Sequence, residues 1–361
     1  MKLEVVFLSG SLRLSGSTTW MNTLIKGFEE NNIPCLHLIT GIEGTIKSSA
    51  KDVLYTGRAR QSWLLRCMRW FQLHKVFKSF YNKQEDKFFT RKTNQLISNK
   101  LADKVLVIKD FTSYLPACFE EDRFFVVAVL HQQYKRFEQG YYYDLLCSVS
   151  ETVQSESYEI GFNVQNVIYN PLDIDSIKSR SLEYQVREDN FLLFVGKLHK
   201  EKGIFELLEA YRDLVKDGYA QLNLIYIGEG RDKEQLLNRI AEYGLKDKVK
   251  LTGFLLNPYP YISKAKILLL PSYSEAMPYV VIEAAVLNTA YLVSDFTSAR
   301  EFFQEENIFP MKNFRPDILE MKQKVVQLLN EPSYELKEGL VEKIKPNTVV
   351  STYYNLLKNQ E

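Results

Sequence analysis

Apolar residues along this chain gather into short unbroken runs divided by polar turns, a pattern that predicts strands covered on both faces. In the first half the runs are LEVVFL (3–8), CLHLI (35–39), KVLVI (104–108), FFVVAVL (124–130), LLCSV (145–149) and NVIY (166–169). The first run passes through the turn SGSLRLSGSTT into WMNTLIKGFEE, whose apolar residues fall at helical spacing. NPLDID (170–175) reads as a linker, followed by a polar stretch to about Asn190. There the alternation restarts with FLLFVG, the helix GIFELLEAYRDLVKDG, the strand LNLIYIGEG and the helix DKEQLLNRIAEYG. VKLTGFL, AKILLLP, a helix after Pro278 and YLVSD complete it. A last helical segment, TVVSTYYNLLKNQE, follows Pro346 with no strand behind it. The expected class is α/β: two doubly wound, Rossmann-like domains facing each other across a cleft. The first spans residues 1–170 and the second 171–345, and a terminal helix at 346–361 returns to the first.

The 361 residues suffice for two cores, and 45% hydrophobic with 25% charged residues is the balance of a folded chain. The net charge of +1 argues against bulk nucleic-acid binding, so no nucleic-acid partner is expected. It averages over one strongly basic stretch. Residues 58–92 hold ten Lys/Arg, two acids and eight aromatics, among them Trp63, Trp70, Phe71, Phe77 and Phe80. That composition fits an anionic membrane surface, though ordinary helices packing their aromatics on the domain would also produce it. Four cysteines stand singly with no zinc spacing and read as reduced buried thiols of a cytosolic protein. No run approaches the roughly 18 apolar residues of a membrane span, so any membrane association is expected to be peripheral.

G-x-x-x-x-G-K-[ST], G-x-S-x-G and H-E-x-x-H are all missing, which removes the main support for phosphate-loop NTPase, α/β-hydrolase and metalloprotease chemistry. Two other stretches suit phosphate. FVGKLHKEKG ends a strand at Gly196 and carries Lys197 and Lys202 into a helix, two ammonium groups beside free helix N–H donors. IGEG closes the next strand with Gly228 and Gly230, where backbone can approach a ligand. In PSYSEAMPYVVIEAA (271–285), Pro278 suits a first helical turn, leaving the N–H groups of Tyr279, Val280 and Val281 for an oxyanion or sugar hydroxyl. Glu275 and Glu283 would then lie near one end of that site. Carboxylates repel a diphosphate, so hydroxyls are their natural partners.

In these stretches the sequence resembles the GT-B glycosyltransferases of family 4, the retaining, nucleotide-sugar-dependent group. LLCSVSETV…NVIYNPLDID resembles the end of that family's first domain, FVGKLHKEKGIFELLEAY its Lys-Gly opening of the second, and PSYSEAMPYVVIEAA its Glu-x7-Glu signature. The resemblance implies a GT-B fold. It further implies that Glu283 takes the ribose hydroxyls, Glu275 lies by the donor sugar, and Lys197 and Lys202 hold the diphosphate. Gly16 would approach that diphosphate from the first domain, His131 would lie near the donor sugar, and Phe254 would line the base. Lys197 replaces the family's usual arginine, Ala276 and Pro278 replace glycines, and Asn288 stands where a helix-ending glycine is usual. Pro278 has no N–H to offer a sugar, which bears on donor choice.

The expected function is a cytosolic, peripheral inner-membrane enzyme that moves a hexose to a lipid-linked or polysaccharide acceptor hydroxyl with retention. Its donor is a nucleotide sugar, expected to be a UDP-sugar, with no metal and no further cofactor. Two alternatives stay open: a non-catalytic GT-B subunit that binds a glycan or a partner, and a GT-B nucleotide-sugar 2-epimerase.

Overall fold

A computed structural model of the chain describes residues 2–9, 16–39, 48–55, 101–111, 121–132 and 142–359, with 87, 90, 91, 93, 113, 115 and 119 singly. The basic stretch at 58–92 lies almost wholly outside the described residues, as do the turn at 10–15, Cys67 and Cys118. The chain divides into two compact units, Met1–Leu172 with Lys343–Glu361, and Asp173–Glu342.

The first unit is built on a seven-stranded sheet in the order β3-β2-β1-β4-β5-β6-β7, every pair parallel. Its strands are β1 (Leu3–Ser9), β2 (Cys35–Ile39), β3 (Val53–Tyr55), β4 (Leu101–Asp110), β5 (Phe124–Leu130), β6 (Leu145–Ser148) and β7 (Asn166–Val167). Four of the apolar runs sit in the middle of it. Val126 to Leu130 are all fully buried, as a strand covered on both faces requires. The helix Gly16–Glu30 buries Trp20, Leu24 and Phe28 beside this sheet. Against it packs the helix Pro346–Lys358, which buries Val349, Val350, Tyr353 and Leu357. The two helices approach so closely that a Cβ on Gly27 would lie 2.9 Å from Val350.

The second unit repeats the arrangement with six parallel strands, β10-β9-β8-β11-β12-β13. These are β8 (Phe191–Val195), β9 (Asn223–Ile227), β10 (Val249–Gly253), β11 (Ile267–Leu270), β12 (Ala290–Ser294) and β13 (Ile308–Phe309). The helix Ile204–Lys216 turns seven residues, Ile204 to Leu214, into the core. Each large apolar side chain so buried stabilises by about 1.5–3 kcal/mol. The helix Ile318–Asn330 packs beside it with Met321, Val325 and Leu328 inward.

The segment read as a linker is partly structured. Asp173 caps a helix, Ile174–Arg180, with its carboxylate accepting from the Ser176 N–H at 3.0 Å. Asp is a good N-cap, and a cap followed by only seven mostly polar residues gives little periodicity to read. In both sheets growth proceeds from the first strand to one side and then, from the fourth, to the other. The points of reversal lie between β1 and β4 and between β8 and β11. Ligands of such sheets bind outside the carboxyl ends of the strands at this reversal.

Candidate active site

At the reversal in the second sheet, the loops leaving β8 and β11 meet. Gly196 ends β8, and Gly203, at φ +66°, closes a 3-10 turn over Lys200–Lys202. A Cβ on Gly203 would lie 1.9 Å from the Pro271 carbonyl oxygen, so only glycine lets this turn touch the loop after β11. Gly228 and Gly230, closing β9, press on the β8 loop just as tightly: their Cβ positions fall 1.8 Å from Gly196 O and 2.3 Å from Leu198 O.

This packing delivers Lys202 to Glu275. The ammonium Nζ donates to Glu275 Oε1 at 2.6 Å, and the Ser272 hydroxyl donates to the same oxygen at 2.7 Å. Ser298 Oγ donates to the Glu275 carbonyl at 2.8 Å, and the Tyr273 N–H to Glu201 O at 2.9 Å. The loop is therefore held on three sides before any ligand arrives. Lys197 lies exposed at the mouth of β8, and Phe254, just after β10, is 48% exposed.

The other glutamate is set differently. The helix Tyr279–Val286 takes Pro278 as its N-cap, one position earlier than a first-turn proline. The Val281 N–H already donates to Pro278 O at 3.2 Å, which removes one of the three donors predicted there. Tyr279 and Val280, both half-buried, open the helix. Glu283 is buried on it. Its Oε1 accepts from the Tyr259 hydroxyl at 3.2 Å, and the Arg180 guanidinium lies over the Tyr259 ring at 4.8 Å. Burial raises the Glu283 carboxyl to about 7, against the opposing pull of Tyr259 and Arg180. Asn288 ends this helix with φ +56°, the left-handed cap expected of it.

In the first unit, His131 directly follows β5. Its ring meets Trp20 edge-to-face at 4.3 Å, and its buried Nε2 has no hydrogen-bond partner among the described residues. Burial lowers the imidazole to about 4, with Asp110 pulling the other way. Gly16 is the first residue of the helix Gly16–Glu30 rather than part of a preceding turn. Nearby, His37 is sealed between Ser9 Oγ and Ser48 Oγ, 2.8 and 2.7 Å from its two ring nitrogens, and burial lowers it to about 4. Cys35 and Cys147 are free and buried, and burial is the main cause that raises both thiols to about 12. Among the described residues no three His, Cys, Asp or Glu cluster in a way that could hold a metal ion. No described helix is long and apolar enough to cross a membrane.

The loop at Gly196–Gly203, the Lys202–Glu275 pair and the buried Glu283 all fall within residues 178–345, which match the family model described as glycosyl transferases group 1. Residues 178–345 thus resemble the group 1 glycosyl transferases. This segment is similar to the Campylobacter jejuni N-acetylgalactosamine-N,N'-diacetylbacillosaminyl-diphospho-undecaprenol 4-alpha-N-acetylgalactosaminyltransferase, 35% identical over 152 residues, 42% of this chain and 40% of that protein. It is also similar to the alpha-D-kanosaminyltransferase of Streptomyces kanamyceticus, 26% identical over 166 residues, 45% of this chain and 42% of that protein. The chain thus spans less than half the length of these curated relatives. A solved structure, Anabaena Alr3699/HepE in complex with UDP-glucose, matches 99% of this chain and 100% of its own with a TM-score of 0.72 at 15% identity. That likeness is one of fold: with the matched segment forming most of its second unit, the chain has the two Rossmann-like units of a GT-B protein.

Tyr259 and Arg180 carry no signal in the sequence, because only tertiary packing brings them to Glu283. Ser272 could have been noticed, standing three residues before Glu275 in a loop.

Proposed function

We propose that this chain is a retaining glycosyltransferase that moves a hexose from a nucleoside diphosphate sugar to a lipid-linked or polysaccharide acceptor hydroxyl. The observation that carries the reading is the convergence, at one sheet reversal, of a cationic loop, an ion-paired carboxylate and a buried carboxylate in a group 1 glycosyl transferase segment. The similar Campylobacter protein is named for a diphospho-undecaprenol acceptor, which supports a lipid-linked one here. The Anabaena complex with UDP-glucose supports a UDP-sugar donor.

The local chemistry fits. An ammonium carries three N–H donors, so Lys202 can keep Glu275 and still give two to the diphosphate, with Lys197 adding a second positive charge. Both neutralise the charge that builds as the C1–O bond breaks and the nucleoside diphosphate leaves. Glu275 has Oε1 committed and Oε2 available to a sugar hydroxyl. Glu283 accepts from the ribose hydroxyls. The acceptor oxygen bonds to the anomeric carbon as the C1–O bond to the diphosphate breaks, and its proton passes to the departing diphosphate. The roles of His131, Gly16 and Phe254, independence of metal, and a peripheral membrane location through residues 58–92 rest on the sequence reading alone.

Binding decides it. Titration calorimetry with UDP-, GDP- and ADP-sugars should find one tight donor for the parent, weakened about 10–100-fold by Lys202→Met and by Glu283→Ala, the weight of one charged hydrogen bond or two. Unchanged affinity in Glu283→Ala would sink the reading.

A further inference from the structure

Glu283 is buried on a helix, yet its carboxylate is held at one oxygen only. Tyr259 supplies that single hydrogen bond, to Oε1 at 3.2 Å, and Oε2 has no partner among the described residues. The tyrosine is itself fixed from three directions. It is 9% exposed and opens the helix Tyr259–Lys264 behind Pro258. Its backbone N–H donates to Asn257 Oδ1 at 3.2 Å. Its ring carries the Arg180 guanidinium at 4.8 Å, and that guanidinium is tied in turn, Nη2 donating to Leu256 O at 3.0 Å. Asn257 completes the frame by donating to Arg180 O and to Glu183 Oε2, both at 2.8 Å. Three segments of the chain thus cooperate to hold one phenol.

A hydroxyl held so firmly against one carboxylate oxygen fixes the plane of the carboxylate, because rotation about its last bond would break the bond to Tyr259. Fixing a group before the ligand arrives removes an ordering cost from binding. We propose that Tyr259, clamped by Arg180, is a positioning residue for nucleotide recognition: it takes one oxygen of Glu283 and so presents the other to the ribose of the donor. The proposal rests on the reading of Glu283 as the ribose acceptor and goes beyond it by assigning the arrangement to Tyr259 and Arg180. It makes the site selective for a ribonucleotide over its 2′-deoxy counterpart, since a pocket built to accept from a hydroxyl discriminates against a ligand that lacks it.

The test uses the full chain with UDP, GDP and ADP and their 2′-deoxy forms as probes, binding measured by calorimetry and the melting temperature alongside. For the nucleotide that binds best, Tyr259→Phe should lose about tenfold in affinity for the ribo form, much less for the deoxy form, and keep its melting temperature. Arg180→Lys keeps the charge without the planar stack and should move the ribo-to-deoxy ratio the same way by a smaller factor; it also reads the ratio if the tyrosine variant fails to fold. A ratio equal to the parent's in both variants overturns the proposal. So does an equal loss on ribo and deoxy forms, the mark of a merely structural role. Glu283→Ala separates the two levels: if it leaves the ratio unchanged, the ribose reading itself falls, and if it collapses the ratio while Tyr259→Phe does not, only the positioning role falls.

Discussion

The reversal points of the two sheets share one strand order, but only the second holds an ion pair of lysine and glutamate among the described residues. At the second sheet a lysine and a glutamate stand paired, and another glutamate is buried beside a tyrosine. Around the first sheet's reversal two histidines and a lysine are driven towards neutrality by burial, as Glu283 is in the second unit. His37 and His131 are lowered to about 4, and Lys109, its Nζ donating to Phe111 O at 2.8 Å, to about 8. One topology therefore supports an edge that carries a Lys–Glu ion pair and an edge whose two described histidines are uncharged at neutral pH. In the second unit, glycine contacts wedge polar loops together at the strand ends.

The largest effect that could break this comparison lies in those glycines. Gly228→Ala forces a Cβ to 1.8 Å from Gly196 O at φ +146° and should destabilise the chain by about 3 kcal/mol or more, read by urea unfolding. Gly161→Ala in the first unit, at φ +92° with nothing within 4 Å, should cost only about 1–2 kcal/mol. Equal losses would mean that the close backbone approach at Gly228 adds nothing to the cost of a side chain at positive φ.

A second, smaller contrast concerns pH. Glu283 has a folded pKa raised from 4.5 to about 7, so its burial costs up to about 3 kcal/mol above pH 7, a cost relieved as pH falls from 7 towards 4.5. His37 has a folded pKa lowered from 6.5 to about 4, so stability present above pH 6.5 is lost, by up to about 3 kcal/mol, as pH falls towards 4. Between pH 6.5 and 4.5 the contributions run in opposite directions. Segment-resolved hydrogen exchange, corrected for intrinsic rates, should show protection falling in the first unit relative to the second across that window. Glu283→Gln, neutral at every pH, should stabilise the second unit at pH 8 and show no advantage at pH 4.5. Parallel loss of protection in both units, unaltered by that substitution, would remove the contrast.

The smallest effect sharpens the picture of the first unit. Among the described residues, Tyr353 Oη and Trp20 Nε1 are both buried without a well-formed hydrogen bond, though they lie within reach of each other. Tyr353→Phe removes an unsatisfied hydroxyl and should leave stability unchanged or raise it by up to about 1 kcal/mol in thermal unfolding. A loss above 1 kcal/mol would show that the hydroxyl is satisfied, by Trp20 or by bound water.

Much of this fold could be read from apolar runs alone. CLHLI and FFVVAVL coincide with β2 and β5 residue for residue, because fully covered strands show themselves as unbroken apolar segments bounded by polar turns. Short or polar elements escaped. β3 has three residues, and the helix Ile174–Arg180 turns one side chain, Ile177, fully inward, so neither repeats a pattern long enough to stand out. Ile318–Asn330 was not picked out although Asp317 caps it with two hydrogen bonds, to the N–H groups of Leu319 and Glu320. At the candidate site, residue types and order suggested Lys202, Glu275 and Glu283, but not their different states. That one glutamate is ion-paired while the other is buried against Tyr259 follows from which loops the glycines allow to touch, which is a property of packing.

One consequence concerns the order in which the chain acquires its structure during synthesis. The second unit is a continuous stretch, whereas the first is interrupted by it and needs the helix Pro346–Lys358 to finish. Until that helix leaves the ribosome, the faces of Trp20 and Gly27 that receive Tyr353 and Val350 stay bare. The second unit can thus complete its core first, while the earlier-made unit waits, an exposed apolar surface on the nascent chain of the kind that chaperones protect.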